Sequence, residues 1–194
     1  MKLHYCIFLY ISIIIIQFGC KSNSNITVYK IKKYTAPNKE EIISQKNNAA
    51  LLNWVAPNSW IEKPPTDFRI ASYNIISEVH QEVIDVSITM FPGDAGGIEQ
   101  NINRWRRQLN LSPQTIDKII NNAKKQSNML GDYFIYYLKN KNTKKSIVGA
   151  IIPYSEQSSS ISQTIFIKMN GSDIVLKELE YEFELFCKSV HWVN

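Results

Sequence analysis

The chain has 194 residues, a formal charge of +5, 44% hydrophobic residues and 20% charged residues. That is long enough for one domain with a proper core and too short for two large ones. Its basic residues fall in short scattered runs, at Lys30 to Lys33, Arg104 to Arg107, Lys124 to Lys125 and Lys139 to Lys145. A nucleic-acid footprint is denser and interleaved with exposed aromatics, so no nucleic-acid partner is expected.

The first element is an export signal. Met1-Lys2 leads into an almost wholly apolar run from Tyr5 to Phe18, then Gly19-Cys20 and the polar residues Lys21 to Asn25. A spanning helix needs about 20 apolar residues, and this run stops short of that, which is the shape of a signal peptide. An apolar run closing on Gly-Cys resembles the bacterial lipoprotein signal, in which the Cys becomes the lipidated first residue of the mature chain. That resemblance implies a signal over residues 1–19 and acyl chains on Cys20. One acyl chain holds only marginally, at ~0.8 kcal/mol per buried methylene, and several give a stable anchor. Gln17 stands three places before the Cys where that signal usually has Leu. Secretion with cleavage by another peptidase is the alternative, and the choice between inner and outer membrane is open.

Cysteine usage agrees with an anchored envelope protein. Cys6 lies in the signal and Cys20 would carry lipid, which leaves Cys187 alone in the folded body and no disulfide within one mature chain. Cys187 falls on a helical pattern with Leu176, Leu179, Phe183, Phe186 and Val190, the position of a buried core residue.

Residues 20–50 are polar and read as a tether. The domain, residues 51–194, opens with Trp54 and Trp60 around a Pro-Asn-Ser turn. Phe68 to Ile75 and Val83 to Phe91 alternate as strands, with His80 in the polar connection of a hairpin. Pro92 and three glycines then stop the sheet, and Ile98, Ile102, Trp105 and Leu109 recur at the spacing of one helical face. Ser112 and Pro113 are expected to cap and open a second helix, with Ile116, Ile119, Ile120 and Ala123 on its apolar face. Tyr133 to Leu138 and Ser146 to Ile152 are two strands joined by the turn Lys139 to Lys145. Ser155 to Ser162 is a loop, Gln163 to Met169 a further strand, and Asn170-Gly171-Ser172 a turn into the final helix. Hairpin connections without βαβ alternation give an α+β domain, an antiparallel β-sheet flanked by helices.

Several of these pieces together resemble a group of bacterial envelope lipoproteins with a PsbP-like domain. They are Pro57-x-x-Trp60, Arg69-Ile-Ala-Ser-Tyr73, the Gly93-Asp-Ala-Gly-Gly97 turn with Asn101-Ile-Asn-Arg-Trp-Arg106, Ile147-Val-Gly-Ala150, Phe166-Ile-Lys-Met169 with Gly171, and the Phe183 to Val190 helix. The resemblance covers the whole domain and implies a PsbP-like sandwich of sheet and helices. It implies no activity. Arg107 and Asn110 flank Gln108 where that pattern has smaller residues.

Chemistry-bearing residues are sparse. His4, His80 and His191 have no metal-ligand spacing, the glycines lack the Lys-Ser/Thr of a phosphate loop, and Glu78, Glu82, Asp85 and Asp94 are expected on exposed turns and strands. No catalytic residue, metal site or cofactor is expected. The candidate site is the glycine turn. Backbone N–H groups of Gly96, Gly97 and Ile98 at a helix start can take an anion, unless Asp94 caps them first. Asn101, Arg104 and Arg106 on the following helix are the candidate anion or partner contacts. The expected role is a lipid-anchored, non-enzymatic envelope binding or scaffold module. Its partners would be the membrane through Cys20 and an envelope protein or small ligand. A small-ligand or anion-binding module using Gly93 to Gly97 and Arg104 is the alternative.

Overall fold

A computed structural model of the chain describes residues 52–64, 66–155 and 162–193. The signal, Cys20, the tether and most of the Ser155 to Ser162 loop lie outside the described residues. Strands β1 (Leu52–Asn53), β2 (Trp60–Glu62), β3 (Ala71–Ser77) and β4 (Glu82–Pro92) come first, then helices α1 (Gly97–Gln108) and α2 (Ile116–Asn121). They are followed by β5 (Lys124–Asn128), β6 (Gly131–Lys139), β7 (Lys145–Tyr154), β8 (Gln163–Ser172), α3 (Asp173–Glu178), α4 (Glu180–Ser189) and β9 (His191–Trp192).

Seven strands form one antiparallel sheet in the order β2-β3-β4-β8-β7-β6-β5, and β1 pairs with β9 where the two ends of the domain meet. The expected α+β class is what the chain adopts. Because strand side chains alternate between faces, the sheet feeds two cores. Tyr73, Ile75, Ile84, Val86, Ile88, Val148, Ala150, Ile165 and Ile167 point to the first face and pack with Leu176, Phe183, Phe186 and Cys187 of α3 and α4. Tyr136, Leu138, Ile147, Ile151 and Phe166 point to the second face and pack with Ile102, Trp105, Leu109 and Ile119 of α1, its C-cap and α2.

Three local expectations are corrected, and one strand is added. Ser112 does not cap α2, which begins at Ile116 behind Thr115. The chain before it is held extended by α1, for Asn103 Nδ2 donates to the Gln114 carbonyl and Asn103 Oδ1 accepts from the Gln114 amide, both at 2.8 Å, while Arg106 Nε donates to the Ser112 carbonyl at 2.7 Å. Asn170, Gly171 and Ser172 are not a turn but the end of β8, paired with Ile147, Ser146 and Lys145. Gly171 serves close packing there, since a Cβ would stand 2.4 Å from Ile84 Cδ1. The final helix is two helices that meet at Leu179. Lys124–Asn128, which has no apolar alternation, is the edge strand β5, drawn in by its ladder with β6.

Candidate functional site

The glycine turn closes on itself. Gly96 and Gly97 take φ of 87° and 80°, the left-handed region that glycine enters without a Cβ penalty. Asp94 Oδ1 accepts the Gly96 amide at 3.1 Å and the Asp94 carbonyl accepts the Gly97 amide at 2.9 Å. Two of the donors that could face an anion are therefore engaged. Asn101, expected to face a partner, is 3% exposed. Its amide donates to the Ala95 and Gly97 carbonyls at 3.0 and 2.8 Å and ties the turn to the first coil of α1. Arg106 is held by the Ser112 carbonyl, and burial lowers the pKa of its guanidinium from the ordinary value. Arg104 is exposed. The five residues read from the sequence thus divide into a structural joint and one exposed cation.

A different group converges on the second face of the sheet. A helix about 10 Å wide covers roughly two strands at ~4.8 Å spacing, and α1 with the short α2 lies over β6, β7 and β8. On β2, β3 and β4 the small second-face side chains Ser72 and Ser87 are buried, and the larger ones at the outer end are left in the open. Ile61 is paired with Asn74, Asn74 with Asp85, and Ile76 with Val83, so Ile61, Ile76 and Val83 stand side by side around the edge of that half. They are 51%, 54% and 57% exposed.

Beside this apolar patch lies a charged cluster. Asp85 Oδ1 accepts from Arg69 Nη1 at 2.9 Å and from Lys63 Nζ at 3.0 Å. Arg69 Nη1 also reaches Ser72 Oγ at 3.4 Å. Ser72 is paired with Ser87 and Ser87 with Lys168, which places Lys168 in the adjoining row of the same face. Lys168 Nζ donates to Gln108 Oε1 of α1 at 3.2 Å. Arg104 is one helical turn from Gln108, on the same flank of α1.

The electrostatics follow from this crowding. Burial alone would raise the Asp85 carboxyl, but the hydrogen bonds and charges of Arg69 and Lys63 outweigh it and hold the group below the usual carboxylate value. Lys168 is pushed down, first by burial and then by the Arg69 charge, with Asp85 pulling the other way. Asp85, expected to be simply exposed, is the shared counter-ion of the open half-sheet. The sequence carried a signal for this in the period-two spacing of Val83, Asp85 and Ser87, which opposes the buried Ile84, Val86 and Ile88.

The remaining candidates lie apart. His80 Nε2 is 3.1 Å from Glu178 Oε1, and His191 Nδ1 is 2.7 Å from the Ser189 carbonyl. Cys187 is fully buried, and burial pushes its thiol well above its ordinary value. Among the described residues no helix is long and apolar enough to cross a membrane.

Neither a family model nor a curated protein matches the chain. Solved structures to which it is similar include two from bacterial sources. One is the solution structure of cyanobacterial PsbP (CyanoP) from Synechocystis sp. PCC 6803, at 11% identity and a TM-score of 0.46, covering 90% of this chain and 98% of that one. The other is LpqN, involved in cell envelope biogenesis of Mycobacterium tuberculosis, at 10% identity and a TM-score of 0.43, covering 74% of this chain and 83% of that one.

Proposed function

We propose that this protein is a non-enzymatic binding module of the cell envelope, held on a membrane by lipid at Cys20. Its domain lies outside the cytoplasm and meets its partner through the open half of the second sheet face. The observation that carries the reading is that half-face. Three large aliphatic side chains, Ile61, Ile76 and Val83, are more than half exposed beside a charged cluster. Aliphatic surface clustered beside placed charges is the composition of an interaction site rather than of a solvated face.

The scattered chemistry supports a binding role over a catalytic one. His80 is engaged with Glu178 and His191 with a backbone carbonyl, while the single thiol of the domain is shut in the first core. General acid and base catalysis needs such groups within hydrogen-bond reach of a common reacting atom. His80 is tied to α3, His191 to the end of α4, and Cys187 faces the first core.

Two experiments test the two halves of the proposal. In cells fed a palmitate analogue, the wild-type chain takes up label and Cys20→Ala does not; equal labelling of the two contradicts the anchor. The Cys20→Ala chain still sediments with its own envelope fraction through its partner, and adding Ile76→Asp with Val83→Asp releases it with no change in melting temperature. Retention of that triple variant contradicts the face.

A further inference from the structure

The open half-sheet carries more positive charge than the chain itself compensates. Lys63, Arg69 and Lys168 stand around one carboxylate, Asp85, whose Oδ1 takes both Lys63 and Arg69. The formal sum of those four groups, three positive and one negative, is +2. Lys168 is hydrogen-bonded to a neutral amide oxygen, that of Gln108. A half-buried ammonium set against a guanidinium loses hydration and gains repulsion, and an external anion relieves both.

We infer that this cluster is a binding site for a phosphate group, a proposal that rests on the open half-sheet being the working face. The sign matches, because a phosphate near neutral pH carries one negative charge as a diester and up to two as a monoester, against the sum of +2. The donors match as well. Arg69 offers the planar fork that suits tetrahedral oxyanions, and the two lysines act as point charges on either side of it. Ser72, 1% exposed, accepts from Arg69 Nη1 at 3.4 Å and supports the guanidinium from the sheet side. Asp85 is the internal competitor. It keeps Lys63 and Arg69 in place in the free protein and shares them when the ligand arrives. The phosphate can belong to a free phosphate compound or to a lipid headgroup, and the site recognises the group common to both.

The test uses the full chain in phosphatidylcholine nanodiscs, with inorganic phosphate titrated by calorimetry at ionic strength fixed with sodium chloride. Saturable 1:1 binding is expected. Lys168→Met and Arg69→Met should each weaken it by at least about tenfold, the factor that follows from losing one charge-assisted hydrogen bond. Asp85→Asn should tighten it, which a merely damaged fold would not do. Nanodiscs of phosphatidylglycerol separate the sources: phosphate binding lost there assigns the site to a lipid headgroup, and binding retained assigns it to a free phosphate compound. No saturable heat, or binding that all three substitutions leave unchanged, overturns the inference. If phosphate fails to bind while Ile76→Asp with Val83→Asp still releases the Cys20→Ala chain from its envelope fraction, the anion site falls and the interaction face stands. The reverse pattern removes the face and leaves the site.

Discussion

The six-membered ring of Trp105 fills the space that a side chain at position 149 would need. A Cβ on Gly149 would lie 2.4 Å from Trp105 Cζ3 and 2.6 Å from Cη2, so α1 can sit as low on β7 as it does only because that strand carries a glycine there. The helix seated by this contact covers one half of the second sheet face and leaves the other half open.

Gly149→Ala should therefore lift α1 and destabilise the chain by about 1 to 3 kcal/mol, the usual cost of overpacking a filled core. Urea denaturation measures it. Trp105→Leu in the same chain should return part of the loss, giving a coupling that two independent lesions would not show.

The paired hydrogen bonds of Asn103 with Gln114 hold the connection from α1 to α2 extended. Asn103→Ala should leave two backbone groups without their partner at a cost of about 1 to 3 kcal/mol. Hydrogen exchange should show the Gln114 amide exchanging faster, with the amides of β7 and β8 unchanged.

Acid should weaken the fold through two carboxylates. The Lys139 hydrogen bond, with further bonds from Tyr137 and Ser146, holds Asp173 below the usual range against the effect of burial. Asp85, which burial would raise, is held down by Arg69 and Lys63. Below about pH 4, the ordinary carboxylate value, the unfolded chain takes up these protons while the native one resists them. The stability they provide is thus present above that pH and lost as pH falls through the lower folded values. A series of thermal melts from about pH 6 to pH 3 should show a falling midpoint, and Asp85→Asn should flatten the fall.

Cys187 should be silent in the native chain. It is fully buried in the first core and its thiol is raised by burial, and only the thiolate reacts appreciably. With Cys6 and Cys20 replaced by Ala, an aromatic disulfide reagent should release colour only on addition of denaturant. Rapid release from the folded chain would place the thiol elsewhere.

Much of the fold was legible where burial is one-sided. Ile84, Val86 and Ile88 alternate with Val83, Asp85 and Ser87 in sequence as they do across the sheet, and the spacing of Ile102, Trp105 and Leu109 marks the buried side of α1. β5 was not legible, because Lys-Lys-Gln-Ser-Asn is an edge strand held by backbone ladder bonds that no side-chain pattern announces. Gly171 was misread for a related reason, since a glycine kept for close approach looks in sequence like one kept for a turn. The candidate site was legible only in part. The glycine turn drew attention by its composition, yet its Gly96 and Gly97 amides are used locally by Asp94. The cluster around Asp85 joins residues 63, 69, 85 and 168, which only the strand order β3-β4-β8 brings together.

The open half-sheet is the proposed face for a partner. A photo-crosslinking residue at Ile76 tests it most directly, compared in living cells with the same residue at Lys118, an exposed position on α2 over the covered half of the sheet. A discrete adduct at 76, absent at 118 and diminished by Lys168→Met, is the predicted result. No adduct at 76, or equal adducts at both positions, would contradict the account.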